Sequence, residues 1–80
     1  MLVELTLPTL SPTTEYATVL RWLKHVGDDV AVGEVVVEVE EDKATCEIEA
    51  LVAGVLESVI AVEGDEVRTG GVLALIEPRT

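Results

Sequence analysis

Few residues in this 80-residue chain could do chemistry: one cysteine (Cys46), one histidine (His25), and a dense set of carboxylates around one lysine (Lys43). Glu38, Glu40, Glu41 and Asp42 precede Lys43, and Glu47 and Glu49 follow it. Acidic neighbours favour the charged ammonium, which makes a poor nucleophile. Schiff-base chemistry asks for a buried lysine, whereas this one reads as exposed on a polar turn. Its available chemistry is that of an attachment point modified by another enzyme; taken alone, such a lysine is an ordinary solvated turn residue. His25 has no Ser or Cys partner nearby in sequence and reads as structural or solvent-exposed. Cys46 falls on a core-facing alternation and reads as an inert buried thiol. The six acids lack calcium-loop spacing, no Cys/His cluster offers a metal site, and a chain this small does not readily enclose a pocket for paired carboxylates. Neither catalytic nor metal-ligating residues are expected.

The elements that must position Lys43 follow from period-2 patterning and turn residues. In Glu34–Glu40, Val35, Val37 and Val39 share one face, Glu34, Glu38 and Glu40 the other, and Val36 is the exception. Thr45–Ala50 resumes the alternation, with Cys46, Ile48 and Ala50 inward and Thr45, Glu47 and Glu49 outward. Residues 34–50 therefore read as a hairpin with a charged tip at 41–44. Before it come a strand over Leu2–Leu7, a two-proline loop from Pro8 to Thr14, a run over Tyr16–Val26 best read as strand, a turn at Gly27-Asp28-Asp29 and a short strand Val30–Val32. After it come strands over Gly54–Val62, Val67–Thr69 and Val72–Glu77, with Pro78–Thr80 as a domain edge or linker start. One domain over 1–77 is expected, with 78–80 outside it.

The composition agrees with strands. The chain is 49% hydrophobic, with fifteen valines, no Phe, one Trp and one Tyr. A net charge of −11, with two lysines and three arginines widely spread, argues against binding nucleic acid or an anionic membrane. No apolar run reaches membrane-spanning length, and the N-terminus carries no signal-peptide pattern. An internal repeat appears at a separation of 37 residues, with Gly27-Asp28-Asp29-Val30 aligning on Gly64-Asp65-Glu66-Val67. Six of the fourteen positions from 27 to 40 are identical to their mates. Two related β-halves most simply pack about a pseudo-two-fold as a small sandwich or flattened barrel, which also protects strand edges. Under that symmetry Lys43 corresponds to Thr80, so the charged tip and the chain termini should lie at opposite ends.

These residues resemble the lipoyl domains of the acyltransferase (E2) subunits of 2-oxo acid dehydrogenase complexes, over about residues 2–77. Glu40-Glu41-Asp42-Lys43-Ala44 matches the family's Glu-x-Asp-Lys-Ala lipoylation turn. Trp22-Leu23, Val26-Gly27-Asp28-x-Val30, Ala53-Gly54-Val55 and Glu63-Gly64-Asp65-x-Val67 stand at family-like spacing. Leu7-Pro8-x-Leu10-Ser11-Pro12-Thr13 looks most like the pyruvate dehydrogenase branch.

The resemblance implies an all-β flattened barrel or sandwich of two four-stranded antiparallel sheets with pseudo-two-fold symmetry, and lipoate amide-linked to Lys43. It implies a swinging arm that is reductively acylated by the dehydrogenase (E1), delivers the acyl group to the E2 catalytic domain for transfer to coenzyme A, and is reoxidised by the flavin dehydrogenase (E3). The chain itself is then a monomeric carrier rather than an enzyme, in a bacterial cytoplasm or a mitochondrial matrix. Glu40 is expected to guide the lipoylating enzyme, and Asp42, Ala44 and the loop Pro8–Glu15 to guide E1. Glu41 departs from the family's usual Thr or Ser. The rival readings are a biotinyl carrier domain, whose lysine lies between two methionines where this chain has Asp42 and Ala44, and an unmodified acidic interaction module.

Overall fold

Valine-rich runs punctuated by glycine fold as eight strands in the computed structural model, which describes residues 1–79. In chain order they are β1 (Val3–Thr6), β2 (Tyr16–Trp22), β3 (Asp29–Val30), β4 (Val35–Glu41), β5 (Ala44–Glu49), β6 (Gly54–Val59), β7 (Glu66–Arg68) and β8 (Val72–Pro78). They make two four-stranded antiparallel sheets, ordered β1-β8-β6-β3 and β5-β4-β2-β7. The expected class is correct, as a flattened sandwich rather than a closed barrel; its extents are 36 × 21 × 18 Å. The core between the sheets is aliphatic, with Leu7, Val19, Val36, Val37, Val39, Leu56, Leu73 and Ile76 its largest fully buried side chains. Burying each such side chain contributes roughly 1.5–3 kcal/mol.

The repeat is structural. A separation of 37 residues maps β2 onto β6, β3 onto β7 and β4 onto β8, and turns one sheet order into the other with β5 opposite β1. The Gly-Asp-x-Val motif can be read atom by atom. Gly27 and Gly64 take φ of 95° and 92°, a region that glycine enters without strain. Asp28 Oδ2 accepts the His25 N–H at 2.8 Å, and Asp65 Oδ2 accepts the Val62 N–H at 2.9 Å. Val30 and Val67 then enter the core. Each turn also grips the other half: Gly27 N–H donates to Leu56 O and Gly64 N–H to Val19 O, both at 2.8 Å. The halves are interlocked through backbone and do not merely stack.

Simple alternation fails in β4, and the reason is a bulge. The β4–β5 register shifts between Val35 and Val37, so consecutive residues Val36 and Val37 both face the core, each 0% exposed, while Val35 is only half-buried. The expected inward set of Val35, Val37 and Val39 is corrected to Val36, Val37 and Val39. β8 repeats the pattern, with Leu73 and Ala74 both buried. A bulge places two residues against one and so breaks the period of two.

Element ends also differ from expectation. β2 stops at Trp22 because the Leu23 and Lys24 N–H groups both turn to Val36 O, at 2.8 and 3.3 Å. The short strand expected at Val30–Val32 is Asp29–Val30, because Ala31 N–H is drawn to Glu34 Oε1 at 3.0 Å. The strand expected to reach Val62 ends at Val59, where Ile60 and Ala61 N–H turn to Leu73 O. The one expected at Val67–Thr69 lies one residue earlier, at Glu66–Arg68. β8 runs through Pro78, which pairs with Gly54, and Arg79 N–H donates to Ala53 O at 2.9 Å, so the sheet continues past the boundary expected at residue 77. Gly54 is required there: a Cβ on it would lie 2.1 Å from Glu77 O. The correspondence of Lys43 with Thr80 lies outside the described residues.

The register separates tip from termini. β5 leaves the tip at Ala44, and at its far end Ala50 N–H bonds Glu34 O. Four residues later Gly54 pairs with Pro78, and Val3 pairs with Ile76 on the same strand. The first described residues and those up to Arg79 therefore lie away from Lys43.

Candidate functional site

The site is the turn between β4 and β5, the tip expected at 41–44. Glu41 pairs with Ala44 across the hairpin, leaving Asp42 and Lys43 at its apex. Both take positive φ, 48° and 67°, the sign that type I′ hairpin turns require at both central positions. Such turns match the right-handed strand twist, but they favour Asn and Gly. For other residues the left-handed region costs roughly 1–2 kcal/mol each. Asp accepts it better than most, because its short polar side chain can bond locally. A lysine here is held in a conformation it does not prefer by the hairpin on either side.

Asp42, Lys43, Ala44 and Glu40 are all exposed and together form the face of the turn. The other lysine and the arginines are engaged elsewhere. Arg21 donates to Glu38 at 2.9 Å and Lys24 to Glu34 at 3.1 Å. Arg79 reaches Asp29, and Arg68 donates to the Tyr16 hydroxyl at 2.9 Å with its guanidinium 5.4 Å from the ring centre. Among the described residues, Lys43 is the one basic side chain with no ion-pair or hydrogen-bond partner. The acids around it do not converge. Glu38 turns to Arg21, Glu41 turns inward, and Glu40, Glu47 and Glu49 point to solvent.

Glu41 has a role that sequence reasoning missed. Its Oε1 accepts a hydrogen bond from Ser11 Oγ at 3.2 Å and another from Thr14 Oγ1. Those hydroxyls belong to the loop between β1 and β2, which therefore lies directly against the turn. The strand parity carried the signal: if Glu40 faces outward, Glu41 faces the other way, toward a loop with hydroxyls to offer.

The remaining candidates separate from the site. His25 is exposed in the Gly27 turn, its Nδ1 3.7 Å from Asp28 Oδ2. Cys46 is half-buried rather than fully buried; it lies on the inward side of β5 opposite Val39 and packs against the core. Trp22 is half-buried against the core and donates from Nε1 to Ala61 O at 2.8 Å, tying β2 to the second half.

Comparison with known proteins places this geometry in a family context. The biotin/lipoyl family profile, described as “Biotin-requiring enzyme”, matches residues 3–76. The chain is 47% identical over 73 residues to the dihydrolipoyllysine-residue acetyltransferase component 3 of the pyruvate dehydrogenase complex of Arabidopsis thaliana, covering 90% of this chain and 14% of that protein. It is 43% identical over 77 residues to the dihydrolipoyllysine-residue succinyltransferase component of the 2-oxoglutarate dehydrogenase complex of Bartonella vinsonii, covering 96% of this chain and 19% of that protein. The chain thus spans under a fifth of the length of either relative. Among solved structures, the lipoyl domain of the 2-oxoglutarate dehydrogenase complex of Azotobacter vinelandii is 32% identical with a TM-score of 0.74, covering 96% of this chain and 99% of that one.

Proposed function

The chain belongs to the biotin/lipoyl domain family, and on that premise we propose that it is a lipoyl carrier domain of a 2-oxo acid dehydrogenase complex, with Lys43 as its attachment residue. The observation that carries this reading is the turn itself: an exposed lysine, partnerless among the described residues, at the apex of a two-residue hairpin.

The residues at the turn fit the group. Amide formation needs an accessible amine, and the Lys43 side chain is exposed. It also removes the lysine charge, and among the described residues no ion pair would be lost. Lipoate, when bound, supplies a dithiolane that can be reduced, acylated and reoxidised. The protein's part is display. The strands hold the backbone at Lys43 still, so that only the side chain and its attached group move, and tethering raises the effective concentration at each partner site. Glu40 is the proposed guide for the lipoylating enzyme; Asp42, Ala44 and the loop Pro8–Glu15 are the proposed guides for E1. The E2 catalytic domain and E3 complete the set of partners, in a bacterial cytoplasm or a mitochondrial matrix. The 47% identity to an acetyltransferase component and the Leu7–Thr13 loop favour the pyruvate branch.

Intact mass after co-expression with a lipoylating enzyme and lipoate tests the reading. One lipoyl adduct is expected on the wild-type chain and none on Lys43→Gln, which should melt within a few degrees of wild type because an apex side chain packs little. An unmodified wild-type chain, or an adduct that survives the substitution, overturns the proposal. A biotin adduct instead favours the sister family.

A further inference from the structure

Resting on the carrier reading, we infer that Glu41 is a positioning residue that latches the β1–β2 loop to the lysine turn, so that E1 meets loop and turn as one preformed surface. The loop is anchored at its two ends. Leu7 N–H donates to Gly71 O and Gly70 N–H to Leu7 O, while Thr69 N–H donates to Glu15 O and the Thr69 hydroxyl to Thr14 O. Between these anchors, Pro8, Thr9, Pro12 and Thr13 are exposed. Among the described residues, three features hold the middle of the loop: Leu10 packed on the core, the Thr14 N–H donating to Ser11 O at 3.2 Å, and the Ser11 and Thr14 hydroxyls gripped by Glu41.

The latch is long-range and converges on one atom. Both hydroxyls donate to the same carboxylate oxygen, from positions 30 and 27 residues away in sequence. A charged acceptor makes these bonds stronger than neutral ones. The carboxylate is half-buried, between Glu40 and Asp42 in the chain, so the two donors offset both its desolvation and the repulsion of its neighbours. Glu41 is also the last residue of β4 before two residues at positive φ. Its backbone is therefore fixed by the hairpin, and the position of the hairpin passes to the loop through the side chain.

The test uses the whole chain and two readouts. Amide hydrogen exchange on the unmodified protein reads the latch directly. Exchange at the Thr14 amide, which donates to Ser11 O at 3.2 Å, should quicken in Glu41→Ala and in the Ser11→Ala/Thr14→Val double variant, and should stay near wild type in Glu41→Gln, whose amide oxygen still accepts. The lipoylated proteins are then offered to E1 enzymes of the pyruvate and 2-oxoglutarate types. In Glu41→Ala, kcat/KM for reductive acylation by the enzyme that accepts wild type should fall about tenfold, the worth of one charged hydrogen bond. Glu41→Gln should recover it, and the extent of lipoylation should not change. Unaltered exchange in Glu41→Ala overturns the inference, and so does a freed loop with unaltered acylation. If wild type takes no lipoate, the carrier reading fails, while the exchange data still decide whether the latch exists.

Discussion

Lys43 owes its availability to what its neighbours do. The other four basic side chains are each engaged, and the nearest inward-facing acid is turned to the loop. Glu34 shows the opposite situation, an acid fully employed. The Ala31 N–H, and then the Lys24 ammonium, hold its carboxyl below the ordinary glutamate range. A carboxyl whose folded pKa lies below its unfolded one stabilises the fold fully above the unfolded value, and that stabilisation drains away as pH falls through the folded value. The gap in melting temperature between wild type and Glu34→Gln should therefore favour wild type at neutral pH and close as pH falls through the carboxylate range. Thermal melts of the two proteins across pH read this, and a gap independent of pH would assign the contribution of Glu34 to something other than its charge.

The Gly-Asp-x-Val turns show how a short motif becomes an element. Glycine supplies the positive φ, aspartate satisfies the N–H three residues before it, and valine enters the core. The motif was legible because each residue type has one job there. The same job done twice gives a paired prediction. Asp28→Ala and Asp65→Ala should each lower stability by ~1 kcal/mol, the worth of one hydrogen bond, in urea unfolding. A large cost for one and none for the other would show that the two turns are not mechanically equivalent. The β4 bulge was not legible in the same way. Val35, Val36 and Val37 are chemically identical, so alternation alone cannot say which of them the extra residue displaces. The answer lies in the partner strand and in the Leu23 and Lys24 N–H groups that Val36 O accepts.

At the scale of the whole molecule, stability comes from two interlocked halves sharing an aliphatic core with no disulfide and, among the described residues, no unsatisfied buried side-chain polar atom. A domain of this size has about 4–12 kcal/mol of stability, and a buried ion without a partner costs several kcal/mol, a large share of it. Val37→Asp should therefore unfold the chain, seen as loss of the strand signal in circular dichroism. A native-like spectrum and melt would show that the core tolerates charge at a position 0% exposed. Gathering the apolar mass into one sandwich also decides where function can sit. The hairpin apex, with Asp42 and Lys43 exposed, lies outside that core.

The sequence by itself determined the strand class, the internal two-fold and the hairpin whose tip carries Lys43. These depend on local patterning and on residue types with few alternative uses. Only the tertiary structure decided which valines fill the core, that Lys43 is the one basic side chain left without a partner among the described residues, and that Glu41 joins the turn to a loop some thirty residues away in sequence. Those outcomes depend on which backbone and side-chain groups meet across the sandwich, and long-range hydrogen bonding of that kind leaves no periodic trace in a single chain.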